Sequence, residues 1–197
     1  AESLIHAGSK NKTKVNLHWI HSSKLEDENC GELLKGINGI IVAPGFGSRA
    51  IEGKIKAVEY ARVKKIPFLG ICLGMQCAVI EFARNVCKIS DANSSEFSQI
   101  TKNPVIDILP NQNLENDDVG ASMRLGTYPC KITPDTVASK IYNNEIIYER
   151  HRHRYEVNNK FRKQLEDEGL IFSGLSPDED LVEMIELKDH PYFVASQ

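Results

Sequence analysis

A cysteine sits between glycines in Gly70-Ile71-Cys72-Leu73-Gly74, where the apolar run "IPFLGI" (66–71) gives way to an amphipathic helical pattern over 74 to 87. A residue on so sharp a strand-to-helix turn is forced into a strained backbone conformation, and its neighbours must be small to avoid colliding with the turn. The arrangement is the thiol counterpart of the G-x-S-x-G nucleophile elbow. The helix starting here sets free N–H groups and the positive end of its dipole beside the sulfur, which should favour the thiolate and lower its pKa. The Leu73 N–H points to where an oxyanion would form in acyl transfer. We therefore read Cys72 as a nucleophile; the alternative is a buried cysteine at a tight turn.

A second glycine-rich loop, "APGFGSRAIEGK" (43–54), follows the preceding strand pattern. Gly45 to Ala50 matches the dinucleotide fingerprint G-x-G-x-x-G/A, but the strand that should end in a ribose-binding carboxylate ends at Cys72. Gly47 to Lys54 has one residue too many for a P-loop, and Ile55 stands where Ser or Thr is required. The loop is better used to bring the Gly45 N–H to the elbow as a second oxyanion donor.

In "ERHRHRYEVNN" (149–159) three arginines alternate with His151 and His153. The H-x-H spacing suggests a metal, but no third ligand sits at a matching distance along the chain. A solvated charged strand is one reading; guanidinium forks that clamp a carboxylate are the functional one. A cysteine nucleophile also calls for a histidine base oriented by a carboxylate. Of the six histidines, His6, His18 and His21 have no special context, and His190 in "KDHPYF" has no acid close behind it.

The elements that must hold these residues are short. "VNLHWI" (15–20), "INGIIVA" (37–43) and "IPFLGI" (66–71) read as strands, with helices near 30 to 36 and over 52 to 65. Alternating short strands and helices argue for a parallel sheet covered on both faces. Beyond it come a polar loop (88–103), a strand "VIDIL" (105–109) and an acidic loop (111–122). Strand patterns follow at 123–132, 146–149, 170–175, 181–187 and 191–196, with helices near 135–142 and 159–168. That density implies antiparallel strands added to the parallel core.

The chain has 197 residues, enough for one medium domain, and a formal charge of -3 gives no reason to expect nucleic acid or an anionic membrane as partner. No apolar run is long enough to span a bilayer, and the N-terminus lacks a signal-peptide core. Five cysteines without a CxxC fit a reducing, cytoplasmic setting. "ESLIHAG" resembles the last turns of a helix and "PYFVASQ" stops as a strand finishes, so we expect a piece of a longer protein.

Taken together, "PFLGICLGMQ", "ANSSEF", "MRLG", "ERHRHRYEVNN" and "HPYFVASQ" resemble, in this order and over nearly the whole chain, the C-terminal glutaminase domain of the CTP synthase family, a class I (triad) glutamine amidotransferase. "GICLGMQ" points to the wider class, "ERHRHRYEVN" to this branch. The resemblance implies a flavodoxin-like α/β fold with a mostly parallel central sheet, flanking helices and added antiparallel strands. It implies hydrolysis of L-glutamine through a thioester on Cys72, and passage of ammonia to an N-terminal synthetase domain, absent from 1–197, that aminates UTP to CTP. That domain would bind ATP and Mg2+; no cofactor is implied for this one. GTP would activate the full enzyme. The full-length protein would be a homo-oligomer, and this chain alone a monomer. By the same resemblance Gly45 and Leu73 are oxyanion donors, and Leu73, Gly74, Met75 and Gln76 form the glutamine-contacting turn. Glu96 and Arg154 would hold the substrate's α-amino and α-carboxylate groups. The alternatives are the glutaminase of another class I amidotransferase, serving GMP or carbamoyl-phosphate synthesis, and a catalytically silent regulatory or assembly domain.

Two departures stand out. Many members have Pro-Gly-Gly-Phe-Gly where this chain has Ala43-Pro44-Gly45-Phe46-Gly47; Pro44 has no N–H, so the oxyanion role rests on Gly45. In the family, Phe-His-Pro-Glu follows Ser-Gln and supplies the base and its carboxylate, whereas this sequence ends at Gln197, and His190 aligns with a non-catalytic histidine. Residues 1–197 by themselves are expected to hydrolyse glutamine several orders of magnitude more slowly than a complete triad.

Overall fold

The structure, a computed structural model, describes residues 1–27, 29–108 and 123–197. Three short helices, α1 (Glu2–Lys10), α2 (Ser22–Asp27) and α3 (Cys30–Leu33), precede the first strand, β1 (Ile40–Val42). Helix α4 (Ile51–Lys64) crosses over to β2 (Phe68–Ile71), and α5 (Leu73–Asn85) follows directly. Strands β3 (Ala92–Ser94), β4 (Asn103–Ile108) and β5 (Arg124–Ile132) come next, then α6 (Val137–Tyr142), β6 (Ile146–His153) and β7 (Tyr155–Val157). The chain continues through α7 (Asn159–Asp167), β8 (Leu170–Leu175), β9 (Val182–Leu187) and β10 (Phe193–Ser196).

The main sheet has seven strands in the order β1-β2-β10-β9-β8-β5-β6. β1, β2 and β10 run parallel, with Ile40 and Phe193 both in register with Phe68. From β10 outward every pairing is antiparallel. The expected α/β class with antiparallel additions is what forms, although the parallel part is confined to three strands at one edge. A second sheet, β3-β4-β7, lies on the other side of α5. Enclosed between the sheets, α5 buries every residue from Leu73 to Ala83, which is why "LGMQCAVIEFA" lacks a polar stripe. Its one buried carboxylate, Glu81, accepts from the Arg62 guanidinium at 2.7 and 2.8 Å and from Asn85. Phe68 and Phe193 stack at 4.5 Å across the parallel strands.

Residues 15 to 20 do not form the expected strand. Val15, Leu17 and Trp19 alternate as read, but they face outward, Trp19 being 81% exposed. None of the described pairings includes them. Alternation describes side chains, whereas a strand also needs a neighbour's N–H and C=O groups. Within the expected polar loop, β3 forms from three residues, too short and polar to register as a strand. β6 runs four residues past the expected 149, to His153. The expected loop at 111–122 and Leu109 lie outside the described residues.

Helix α4 meets α2 at Gly53, where a Cβ would lie 1.9 Å from the Ser22 carbonyl oxygen. A Gly→Ala change inside a helix ordinarily gains up to about 1 kcal/mol. Gly53→Ala should instead lose about 2 kcal/mol through overpacking, measurable as a lower urea midpoint.

Candidate active site

β2 ends at Ile71, and the next residue already caps α5. Cys72 has φ 53 and ψ -107, a conformation that a non-glycine residue adopts only when its surroundings impose it. The constraints are visible. Its N–H donates to the Ser196 carbonyl at 2.7 Å, and its own carbonyl accepts from the N–H groups of Met75 and Gln76 at 2.9 and 3.1 Å. The glycines on either side are obligatory. A Cβ on Gly70 would stand 2.8 Å from Ala195 Cβ and 2.9 Å from the Gly74 carbonyl, and one on Gly74 would stand 2.1 Å from the Val42 carbonyl oxygen.

The expected lowering of the Cys72 pKa is not what the surroundings produce. Burial is the largest influence and pushes the thiol up. The Leu73 N–H donates to the sulfur and, with the Gln197 side chain, favours the thiolate, while Glu96 and Glu156 oppose it. The net effect is upward: one N–H at a helix terminus does not offset the desolvation of a half-buried sulfur. The thiol therefore needs a base in order to attack.

Cys72 opens into a cleft of about 240 Å³ that also carries Gly45, Gln76, Glu96 and Arg154 on its wall. Five of the eight residues singled out from the sequence thus meet in one place. Leu73, Gly74 and Met75 are not on the cleft wall. Leu73 is buried beneath it, its Cδ2 3.1 Å from where a Gly45 Cβ would be; Gly74 is pressed on Val42, and the Met75 side chain is in the core. Glu96 is held by its environment: Oε1 accepts from the Gly47 N–H at 2.8 Å, and its own N–H donates to Ser94 Oγ. Gly47 takes φ +77 to present that N–H. Gln76 Nε2 donates to the Tyr155 carbonyl at 3.2 Å and reaches Gln197 Oε1 at 3.4 Å, tying α5 to β7 and to the residue after β10.

The alternation in "ERHRHR" resolves by strand geometry. His151 and His153 point inward and are buried, while Arg150 and Arg152 point out to solvent. Arg154, at the bend between β6 and β7, turns into the cleft. The two imidazoles contact each other, Nδ1 of His151 lying 2.8 Å from Nε2 of His153, and do not converge on a metal. Among the described residues there is no group of three or more His, Cys, Asp or Glu able to hold a metal ion. His153 reaches the cleft, but burial first, and then His151 and Arg124, lower its pKa to about 3, so it is a poor acceptor for a thiol proton. His190 is used elsewhere, with Nε2 3.0 Å from the Ala61 carbonyl and its ring edge-on to Phe193.

The family model for class-I glutamine amidotransferases matches residues 1–197. The chain belongs to the class-I glutamine amidotransferase family. It is 59% identical over 196 residues to the CTP synthase of Caldanaerobacter subterraneus and 60% identical over 197 residues to that of Desulfitobacterium hafniense. All of this chain is covered in both cases, but only 36% and 37% of those proteins. The glutaminase domain of Trypanosoma brucei CTPS, solved with bound acivicin, superposes with a TM-score of 0.92 at 36% identity, over 100% of this chain and 76% of that one. Within the amidotransferases this is therefore a glutaminase domain of the CTP synthase branch.

The amidotransferase cleft also contains residues to which the sequence assigned no role there: Phe46, Met123 and Tyr155 on its wall, His153, weighed above only as a metal ligand, and Gln197, which favours the thiolate. The inward phase of the β6 alternation was the available signal for His153; Gln197 carried none. Since burial governs the thiol, alkylation of Cys72 by iodoacetamide should rise with pH through a midpoint above that of an exposed cysteine peptide. A midpoint below the peptide's would mean that the helix terminus dominates after all.

Proposed function

We propose that this chain is the glutaminase domain of a CTP synthase and hydrolyses L-glutamine to glutamate and ammonia. One observation carries the reading: a cysteine locked at φ 53 on a strand-to-helix turn, with the Leu73 N–H on its sulfur, opens into a cleft bearing a carboxylate and a guanidinium. A free amino acid presents an ammonium and a carboxylate at fixed separation, which Glu96 and Arg154 match in charge. The side-chain amide carbonyl is then directed at Cys72. The sulfur attacks that carbon as its proton passes to a base, and the Leu73 and Gly45 N–H groups receive the developing oxyanion. Collapse expels ammonia, which takes a proton, and leaves a thioester. Water then attacks the thioester, releasing glutamate and restoring the thiol.

The base is the part that the described histidines do not supply. The Cys72 N–H bond to the Ser196 carbonyl, one residue before Gln197, means that β10 delivers the chain directly to the strained turn. A His-Pro-Glu segment immediately after Gln197, as in the family pattern, would act there. The chain spans a little over a third of its curated relatives, so the remaining steps are assigned to the rest of the protein. A synthetase domain using ATP and Mg2+ would accept the ammonia and aminate UTP to CTP, with GTP as activator and the full protein as a cytoplasmic homo-oligomer. No cofactor is assigned to residues 1–197, and no helix among the described residues is long and apolar enough to cross a membrane.

Incubation with a diazo-ketone analogue of glutamine should add a single adduct to the intact mass, absent from Cys72→Ala. An adduct that persists in Cys72→Ala, or none on the full-length protein, overturns the assignment. Arg154→Ala should raise KM for glutamine at least about tenfold, the effect of losing one charged hydrogen bond. An unchanged KM would remove Arg154 from the substrate clamp.

A further inference from the structure

Beneath the cleft lies a cluster that glutamine hydrolysis, as described above, does not use. Arg124 of β5, His151 and His153 of β6, Glu156 of β7 and Glu183 of β9 are each at most 9% exposed. Arg124 is set by the Tyr128 ring, 4.4 Å from its guanidinium carbon, and reaches Glu183 Oε1 at 2.5 Å but Glu156 Oε1 only at 3.8 Å. Between the carboxyl groups run the two imidazoles. Glu156 Oε1 is 3.3 Å from His153 Nδ1, His153 Nε2 is 2.8 Å from His151 Nδ1, and His151 Nε2 is 3.7 Å from Glu183 Oε2.

The charge count in this cluster does not balance as the residues are ordinarily written. Two carboxylates share one guanidinium, and burial together with Arg124 keeps both imidazoles neutral. A bare charge in such surroundings is costly, and a carboxyl group takes up a proton instead. The position of Arg124 indicates where. The oxygens of Glu156 and of Glu183 alike receive no hydrogen bond, and His153 Nδ1 and His151 Nε2 lack one too, but Arg124 stands closer to Glu183 than to Glu156. A proton on Glu156 Oε1 lies within reach of His153 Nδ1 and would pair two of these atoms at once. It also fixes the tautomers in sequence: His153 donates from Nε2 to His151 Nδ1, and His151 turns its Nε2–H toward Glu183, whose negative charge faces Arg124. The reverse polarity would satisfy a His153 Nδ1–H on Glu156 and the Tyr155 carbonyl, but at a larger electrostatic cost: it would leave Arg124 at 2.5 Å from a neutral Glu183 while the charge sat 3.8 Å away.

We propose that Arg124, Glu183, His151, His153 and Glu156 form a buried one-proton network that holds negative charge on Glu183 and keeps it off Glu156, the carboxyl that lies directly behind His153 and Tyr155 on the wall of the Cys72 cleft. The network acts on the thiol by position. A charged Glu156 would add to Glu96 in opposing the thiolate, whereas a neutral one leaves Glu96 as the nearby anion, with Arg154 on the same cleft wall. Asp178 and Cys130 also face Glu183, and Asp178 opposes its ionisation. The two carboxyls and Arg124 thus form the switchable part. The inference builds on Cys72 as the reacting group but does not depend on glutamine as the substrate.

The test is the pH dependence of Cys72 alkylation by iodoacetamide in the full-length protein, followed on the Cys72 peptide by mass spectrometry. Glu183→Gln removes the preferred seat of the charge and sends it to Glu156. The midpoint should rise by roughly half a unit, about threefold in thiolate at a given pH below it. Glu156→Gln imitates the protonated acid and should reproduce the wild-type midpoint, and the double variant should match Glu156→Gln alone. This dependence of one variant on the other distinguishes a charge effect from general loosening, which would disturb all three. The inference is overturned by a lower midpoint in Glu156→Gln, by four equal midpoints, or by a Glu183→Gln shift undiminished in the double variant. Should Glu183→Gln fail to fold, isotope-edited infrared spectroscopy decides. A neutral-acid carbonyl band present in the wild type at neutral pH and lost in Glu156→Gln supports the assignment, and its absence from the wild type overturns it. Neither measurement involves a glutamine analogue, so failure here and failure of the glutaminase reading are told apart.

Discussion

The Val42 carbonyl oxygen approaches the backbone of Gly74 so closely that even a methyl group would not fit between them. That contact sets the height of α5 above the parallel strands. With α5 seated there and β2 ending at Ile71, one residue must reverse the chain, and Cys72 takes the strained dihedrals that result. The strain is maintained by surrounding packing rather than by anything in the cysteine itself. α5 is enclosed by both sheets and pinned at its far end by Glu81 on Arg62. The thiol is thus mounted at the start of the most fully buried helix among those described.

Electrostatics around this rigid post are arranged in two shells of different character. At the cleft wall, Glu96 and Arg154 remain where a charged ligand can meet them. Beneath, Arg124, Glu156 and Glu183 are enclosed, and no solvent is at hand to screen their charges from one another. His153 belongs to both, since its ring reaches the cleft while its nitrogens face His151 and Glu156. Burial accounts for the raised thiol and for the depressed imidazoles alike, because in each case it disfavours the charged form.

What could be read from the sequence was what local spacing controls. Gly70, Cys72 and Gly74 carry the elbow in five residues, and the two glycines have the steric reason assigned to them. Gly45 could be placed beside Cys72 from its glycine-rich loop, but the convergence of Glu96 and Arg154 there could be anticipated only through resemblance, because separate turns of chain bring them together. The thiol's pKa was misread because a helix terminus is visible in a sequence and desolvation is not. The strand expected at 15–20 failed for a related reason: Val15, Leu17 and Trp19 show the alternation, but no pattern reveals whether a neighbouring strand is there to pair. The inward histidines of β6 were legible as alternation, yet which face was inward depended on β5 and β9.

β10 lies between β2 and β9 in the sheet, although it comes last in sequence among the described strands. Until it is inserted, β2 has an unpaired edge, and the Cys72 N–H lacks the Ser196 carbonyl that holds it. The two halves of the main sheet are joined only by this late arrival, a pairing of high contact order that local folding cannot complete early. During synthesis the cysteine therefore emerges long before its strained geometry exists. A ribosome-bound chain that has not yet presented residues 193–196 carries an ordinary thiol, and the strained turn is held only once β10 is in place.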